Sequence, residues 1–223
     1  MNSINRVALA KEGFDLVPDV VSDADIEALL LLVQVRGAGE RNLLDSEIVA
    51  DLASSTCGAL ASEALGTPCW AVRAILFDKQ DGTNWKVPWH QDCTIAVKER
   101  HDLGGYSGWS EKLGVPHVRP PAHVLERMIS VRLHLDPCGA DNGPLVVLPG
   151  THTQGVLSSA VKERVRAEVN PAVLTADKGS AILMRPLLMH SSSPATNPSH
   201  RRVLHIDYAC TELPPPLEWY WRI

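Results

Sequence analysis

Apolar residues in the first third of the chain recur at intervals of three and four, which is the spacing of one helix face. The first such stretch follows Ser22 and Asp25, which form the capping box of a helix start, and Gly37 is expected to end it. A second helical stretch covers about 46–65, with a break expected near Gly58. The N-terminal third is therefore predicted to be mainly helical.

From residue 69 onward the apolar residues occur in short runs rich in strand-forming residues, separated by Asn-Gly, Pro-Gly and Lys-Gly turn signals. The pattern predicts strands at 71–77, 128–135, 144–148, 173–174, 180–184 and 203–208, and a separate short strand is expected at 13–18. One helix is expected among them, at 158–168. Residues 104–121 show no clear periodicity, which indicates a long loop of the kind that often forms a lid.

Short strands with frequent turns and few intervening helices are typical of a jelly roll. We therefore predict one domain over residues 1–223, mainly β with flanking helices. A helical part at about 1–66 precedes a double-stranded β-helix core, the cupin-like jelly roll, at about 69–211. A length of 223 residues suits one all-β domain.

Charge and composition then narrow the range of partners. Charged residues make up 21% of the chain, the net charge is −5, and the sequence holds no basic stripe, so no nucleic-acid partner is expected. The longest apolar run is about ten residues, too short to cross a bilayer. The N-terminus lacks an apolar signal core, and five cysteines without a CxxC motif indicate reduced thiols, so a cytoplasmic location is expected. The sequence does not indicate an oligomeric state.

The sequence His-x-Asp occurs three times, at His90-Gln91-Asp92, His134-Leu135-Asp136 and His205-Ile206-Asp207. On a strand, residues i and i+2 share a face, so each pair is able to direct two donors at one metal. With a further histidine, such a pair forms the two-histidine, one-carboxylate ligand set of non-haem Fe(II) oxygenases. His190 follows the first two pairs, whereas no histidine follows His205. The position of His90 after the loop at 81–88, close to Trp85 and Trp89, favours this histidine, but spacing alone leaves His134 and a metal-free protein open.

Two residues beyond His190 indicate a second substrate. Ser192 and Arg201 follow it at offsets of two and eleven, and a hydroxyl with an arginine is what the far end of a dicarboxylate requires. Arg202 is expected to point to the opposite face of its strand. Three protein ligands also describe hydrolytic zinc sites. The Ser192 and Arg201 pair argues against zinc, because a water-activating zinc site needs no dicarboxylate anchor.

Four segments of the chain resemble the phytanoyl-CoA dioxygenase family, a branch of the Fe(II)/2-oxoglutarate oxygenases. They are residues 12–18 with the following helix, 76–79 leading to 87–92, 142–152, and 184–190 with Ser192 and Arg201. Together they cover nearly the whole chain. In that family the His-x-Asp pair directly after a tryptophan-like or leucine position binds iron. The resemblance therefore selects His90 and Asp92, which follow Trp89.

The resemblance implies the cofactors and the residues that hold them. Fe(II) would be bound by His90, Asp92 and His190, and the C5 carboxylate of the co-substrate 2-oxoglutarate would be bound by Arg201 with a hydroxyl contact from Ser192. O2 would be the oxidant.

Three further positions match residues that line the co-substrate pocket in the family, namely Ile75, Lys79 and Arg132. The family has a tryptophan-like residue where Arg132 stands, which puts the role of Arg132 in doubt. The alternative for Arg132 is an ion pair with Asp136 or Asp207.

The implied reaction is hydroxylation of a small molecule with release of succinate and CO2. Desaturation or epimerisation at the same site, a catalytically silent protein that binds metal and 2-oxoglutarate, and a zinc hydrolase on a cupin-like scaffold stay open. Asp92 argues against a halogenase, because the halide would need the position that this carboxylate fills. The loop at 104–121 is expected to set the substrate, which the sequence does not identify.

Overall fold

The computed structural model describes residues 4–32 and 39–223 of the chain. Helices in these ranges are α1 (Arg6–Glu12), α2 (Asp23–Leu32), α3 (Glu47–Ser54), α4 (Thr56–Leu65), α5 (Ala122–Leu125) and α6 (Ser159–Glu168). Strands are β1 (Phe14–Val17), β2 (Gly39–Glu40), β3 (Trp70–Lys79), β4 (Val87–His90), β5 (Ile95–Ala96), β6 (Ser107–Lys112), β7 (Val115–Arg119), β8 (Met128–His134), β9 (Leu145–Leu148), β10 (Ala172–Leu174), β11 (Ala181–Met184), β12 (Met189–Ser192) and β13 (Arg201–Ala209). Over the described ranges, no helix is long and apolar enough to cross a membrane.

The helical N-terminal part follows the sequence pattern in one place and departs from it in another. The capping box forms as predicted, since the Asp25 amide donates to Ser22 Oγ and the Ser22 amide donates to Asp25 Oδ2, both at 3.2 Å. The predicted helix end at Gly37 lies outside the described residues.

The helical stretch at 46–65 is broken as expected, but the break lies at Ser55, between α3 and α4, three residues before Gly58. Gly58 instead lies inside α4, where a Cβ would come within 2.6 Å of the Ala53 carbonyl oxygen. This glycine is required by a close approach of two helices rather than by a turn.

Two antiparallel sheets form the core of the molecule. The larger has the strand order β1-β11-β8-β13-β3-β2, and the smaller has the order β10-β9-β12-β4. One cavity is lined by residues of both sheets, so the sheets face each other across it. The predicted mainly β architecture with flanking helices is confirmed.

Strand β13 shows how alternation positions the interior of the cavity. Leu204, Ile206 and Tyr208 point away from the cavity and pack in the apolar core with α3 and α4. The Tyr208 hydroxyl donates to the Ala53 carbonyl at 2.9 Å. Arg201 and His205 point the other way and line the cavity. Side chains alternate across a strand, so packing of these apolar residues on one face directs Arg201 and His205 into the cavity on the other.

The long loop expected at 104–121 is largely a β-hairpin, so that expectation is wrong. β6 and β7 pair through Lys112 and Val115, and with β5 they form a third, small sheet. The turn consists of Leu113 and Gly114, with φ angles of 51° and 79°. Two residues at positive φ form the turn that best matches strand twist, but Asn-Gly is its usual sequence and a leucine is uncommon there. The sequence Leu113-Gly114 therefore does not indicate a hairpin turn.

Candidate functional site

The two candidate histidines are brought together by neighbouring strands. His90 ends β4 and pairs in register with His190 of β12, and their ring centroids lie 4.1 Å apart. Asp92 lies two residues beyond β4, with Oδ1 3.7 Å from His90 Nε2 and Oδ2 3.6 Å from His190 Nε2. The donor atoms of all three lie within 4.8 Å of one another, as in no other histidine, cysteine or carboxylate group of the described ranges.

Main-chain carbonyls orient both imidazoles. His90 Nδ1 lies 2.8 Å from the Pro88 carbonyl oxygen, and His190 Nδ1 lies 2.8 Å from the Leu188 carbonyl oxygen. A carbonyl only accepts, so each Nδ1 carries the hydrogen and each Nε2 keeps a free lone pair. This is the tautomer that binds a metal through Nε2.

Electrostatics favour the ligand form of these groups. Burial is the largest influence on His190 and lowers its pKa to about 4, although Asp92 opposes this. Burial would raise the pKa of Asp92, but His190, His205 and Arg73 together hold it below the usual value. At neutral pH the site therefore presents a neutral His190 and an ionised carboxylate.

Gln91, between the two ligands, holds the motif in place. Its Nε2 donates to the carbonyl oxygens of Gly155 at 2.8 Å and Leu187 at 2.7 Å, and its Oε1 accepts from the Leu157 amide at 2.8 Å. The Asp92 amide also donates to a carbonyl, that of Pro186, at 2.9 Å. The sequence analysis did not identify Gln91. Its position between the two candidate ligands was the only indication of this role.

The other two His-x-Asp pairs are engaged elsewhere. Asp136 accepts from Arg202 Nε and NH2 at 2.8 and 2.7 Å, and Asp207 accepts from Arg73 Nε at 2.6 Å. His134 is buried with neither ring nitrogen hydrogen-bonded. The carboxylate of each of these pairs is thus held by an arginine and lies outside the three-residue group.

Arg201 is a buried cation without a counter-ion among the described residues. It begins β13, is 3% exposed, forms no ion pair there, and its Nε lacks a hydrogen-bond partner. Burial lowers the pKa of Arg201. As predicted, Arg202 points to the opposite face, where it pairs with Asp136. The Arg201 side chain interacts with the Cys138 thiol but with no carboxylate within ion-pair distance, and a buried guanidinium facing a cavity without a counter-ion is costly unless an anion binds there.

Lys79 lies directly opposite Arg201 in the pairing of β3 with β13. Its Nζ donates to Ser192 Oγ at 2.6 Å and to the Ser193 carbonyl at 2.7 Å, leaving one ammonium hydrogen free. Burial is the largest cause that lowers the pKa of Lys79 to about 8, and Arg201 adds to it. Ser192 Oγ donates its hydrogen to the Gly143 carbonyl at 2.8 Å. In this arrangement Lys79, rather than Ser192, has a hydrogen to donate to an anion.

Arg132 also belongs to this buried cationic group. The alternative ion pair with Asp136 or Asp207 is wrong, because NH1 of Arg132 instead donates to His205 Nδ1 at 2.9 Å and its Nε has no partner. Burial is the main cause that lowers the pKa of Arg132 to about 10, and Arg201 contributes. Since His205 Nδ1 accepts, His205 Nε2 carries the hydrogen donated to Asp207 at 2.8 Å.

A cavity of about 270 Å³ joins the two parts of the site. The three candidate ligands line it, as do Ile75, Arg132, Ser192 and Arg201 of the expected co-substrate set. Lys79 is not a lining residue and lies directly behind Ser192. Phe77 and Trp85 contribute apolar walls. Arg41, Arg73 and Lys112 also line the cavity, and the sequence analysis did not identify them.

The donor set fits the expected groups. Two free imidazole lone pairs and a carboxylate converge as a divalent iron site requires. Arg201, Lys79 and Arg132, none of which forms an ion pair within 4–32 and 39–223, supply the buried positive charge that a dicarboxylate would neutralise.

Comparison with known proteins gives concordant results. The sequence profile of the family described as phytanoyl-CoA dioxygenase (PhyH) matches residues 31–203. L-proline trans-4-hydroxylase from Streptomyces griseoviridis is 23% identical over 91% of this chain and 84% of its own length.

Two crystal structures share the fold. AviO1 from Streptomyces viridochromogenes Tue57 has a TM-score of 0.67 and 21% identity, over 94% of this chain and 95% of its own. The epimerase SnoN from nogalamycin biosynthesis, determined with Fe3+, alpha-ketoglutarate and nogalamycin RO, has a TM-score of 0.68 and 13% identity, over 92% and 81%. These similarities confirm the predicted jelly-roll fold.

Proposed function

Since this chain belongs to the phytanoyl-CoA dioxygenase family and is an iron- and 2-oxoglutarate-dependent dioxygenase, we propose that it hydroxylates a small molecule with release of succinate and CO2. The observation that carries the proposal is the convergence of His90, Asp92 and His190 on one cavity that also contains the buried, unpaired Arg201.

His90, Asp92 and His190 would hold Fe(II) through two Nε2 atoms and one carboxylate. Bound iron, with 2-oxoglutarate and O2, supplies the oxidation of an unactivated C–H bond coupled to decarboxylation of the keto acid. The protein contributes ligand orientation, through the Pro88 and Leu188 carbonyls, before any metal binds.

Arg201 and Lys79 would bind the distal carboxylate of 2-oxoglutarate. The arginine offers a planar pair of donors, and the lysine offers the ammonium hydrogen not used by Ser192 and Ser193. Ser192 then acts by positioning Lys79. Arg132 adds positive charge beside them, and Ile75 forms part of the apolar wall.

Hydroxylation is favoured over desaturation or epimerisation because the curated relative is a hydroxylase. The epimerase among the structural neighbours has 13% identity and shares the fold alone, so it does not outweigh that relationship. We place the reaction in the cytoplasm, in keeping with five free cysteines, and we propose no nucleic-acid or membrane partner.

The test is iron-dependent succinate formation with 2-oxoglutarate, O2 and a panel of small molecules. We expect succinate release that requires Fe(II), stops on chelation and is not restored by zinc. The variant Asp92→Ala should lose both iron binding and turnover. The matched variant Asp136→Ala, from a rejected His-x-Asp pair, should keep iron. Equal iron loss in the two variants, or activity restored by zinc alone, would contradict the proposal.

A further inference from the structure

The cavity contains a second group of cations besides the one assigned to 2-oxoglutarate. Arg41 follows edge strand β2, Lys112 ends β6 at the hairpin turn, and Arg73 lies on β3; all three line the cavity beside Asp92. Burial is the largest cause that lowers the pKa of both Arg41 and Lys112, and in each case Arg73 adds to it. These cations are close enough to repel one another.

A count of charges shows which of these cations lacks a counter-ion. Arg73 is paired with Asp207, at 2.6 Å. For Arg41 and Lys112, the described residues supply neither a salt bridge nor a hydrogen bond to the charged group. With Fe(II) and 2-oxoglutarate bound, the charges of the metal, Asp92 and the near carboxylate would cancel, and the distal carboxylate would face Arg201, Lys79 and the neighbouring Arg132. Arg41 and Lys112 are assigned to neither group.

The size of the cavity limits what these two residues contact. Its volume of about 270 Å³ lies below the ~300–1,000 Å³ common for drug-sized ligands, and 2-oxoglutarate must share it. The part of the substrate inside the cavity is therefore small. Lys112 reaches the cavity from the β6–β7 hairpin, and Arg41 reaches it from the edge of the larger sheet, so two separate segments supply the charges.

We propose that Arg41 and Lys112 bind an anionic group of the substrate, a carboxylate or a phosphate, and so make this enzyme selective for small anions. This inference rests on the proposed function, because it assigns the first cationic group to 2-oxoglutarate. Two half-buried cations that line one cavity recognise such groups by charge-assisted hydrogen bonds. A neutral analogue would leave both cations without a counter-ion.

The experiment compares anions with their neutral counterparts on the anaerobic Fe(II)–2-oxoglutarate complex. The probes are cyclopentanecarboxylate, 4-methylpentanoate and phenylacetate, each against its carboxamide, and glycerol 3-phosphate against glycerol. Binding is measured by calorimetry and by the shift in melting temperature. We expect at least one anion to bind more tightly than its neutral counterpart, and whether carboxylates or the phosphate win identifies the group.

Arg41→Gln and Lys112→Gln should each weaken that anion about tenfold, whereas Arg41→Lys should retain most of the preference. Lys11→Gln and Arg164→Gln remove the same charge from side chains that are 79% and 58% exposed, and they should have no effect. The affinity for 2-oxoglutarate should stay within twofold in all variants.

The inference is overturned if no anion is preferred, if the preference survives in both glutamine variants, or if those variants lose 2-oxoglutarate instead. Failure of the proposed function has a different signature, since the wild-type protein would then release no iron-dependent succinate, whether or not it binds the anion.

Discussion

Replacing Arg201 by methionine removes the guanidinium and keeps an apolar stem in its place. In the protein without ligand this change should leave the free energy of unfolding unchanged or raise it, because a buried and unpaired charge disappears. Affinity for 2-oxoglutarate should fall sharply. The opposite signs of the two effects separate loss of an anchor from general damage to the fold.

The size of the loss follows from the burial of Arg201. Removing one partner of a buried charged contact costs about 2–5 kcal/mol. Because Lys79 lies opposite Arg201 and keeps part of the positive charge, we expect the lower part of this range, about 2–3.5 kcal/mol. That corresponds to a roughly 30- to 300-fold rise in Kd.

Two measurements check this prediction. Anaerobic calorimetry on the Fe(II)-loaded protein gives the Kd of 2-oxoglutarate directly. Urea unfolding gives ligand stabilisation: at a concentration 100 times the wild-type Kd, the wild type should gain about 2.7 kcal/mol, and a variant with 30-fold weaker binding should gain only about 0.9 kcal/mol.

The control is Arg202→Met, which removes the same charge one residue away. Arg202 pairs with Asp136 on the other face of β13, so this variant should lose a little stability and keep its affinity for 2-oxoglutarate. If Arg201→Met binds 2-oxoglutarate within twofold of the wild type, or if Arg202→Met weakens it equally, the assignment of the anchor is wrong.

Three further results are expected. The affinity for 2-oxoglutarate should fall as pH rises above about 8, because Lys79, whose pKa is lowered to about 8 chiefly by burial, then loses its charge; calorimetry between pH 7 and 9.5 should show no such fall in Lys79→Met, and a fall that persists would exclude Lys79 as its source. Gln91→Leu should lower the free energy of unfolding by about 2 kcal/mol or more, since it leaves an amide and two carbonyls unpaired, and it should also weaken Fe(II) binding; iron affinity equal to the wild type would show that Gln91 does not support the ligands. Gly58→Ala should cost about 1–3 kcal/mol in urea unfolding because its Cβ would meet the Ala53 carbonyl, whereas Gly82→Ala, with open space around it, should have little effect; equal stability of the two variants would contradict the close contact.

Local patterns identified part of the candidate site, whereas the choice of His90 and Asp92 over His134 and Asp136 depended on the family resemblance. The offsets from His190 led to Ser192 and Arg201, and strand alternation separated Arg201 from Arg202, which the structure places on opposite faces. These inferences succeed because strand geometry fixes the direction of a side chain from its position alone. Ile75 and Arg132, which the family resemblance suggested, also line the cavity, whereas Lys79 lies behind it and donates to Ser192, which does line it.

Other parts depend on contacts that no local pattern encodes. Arg41 enters the cavity only because two residues before it join the edge of a six-stranded sheet. The Arg132–His205 bond links residues 73 positions apart and excluded the ion pairs considered from sequence. Lys112 lies in the segment 104–121, which the sequence pattern predicts as a loop because the hairpin turn has a leucine at positive φ.

The bonds from His90 and His190 to the carbonyls two residues earlier have a practical consequence for redesign. His117, which is not one of the candidate ligands, makes the same contact with the Val115 carbonyl, so a strand histidine adopts this arrangement outside the candidate metal site as well. Residues that shape the substrate end of the cavity come from other segments. Directed evolution can therefore randomise that end extensively while the backbone keeps the imidazoles aimed, which makes this scaffold a suitable starting point for new oxidation catalysts.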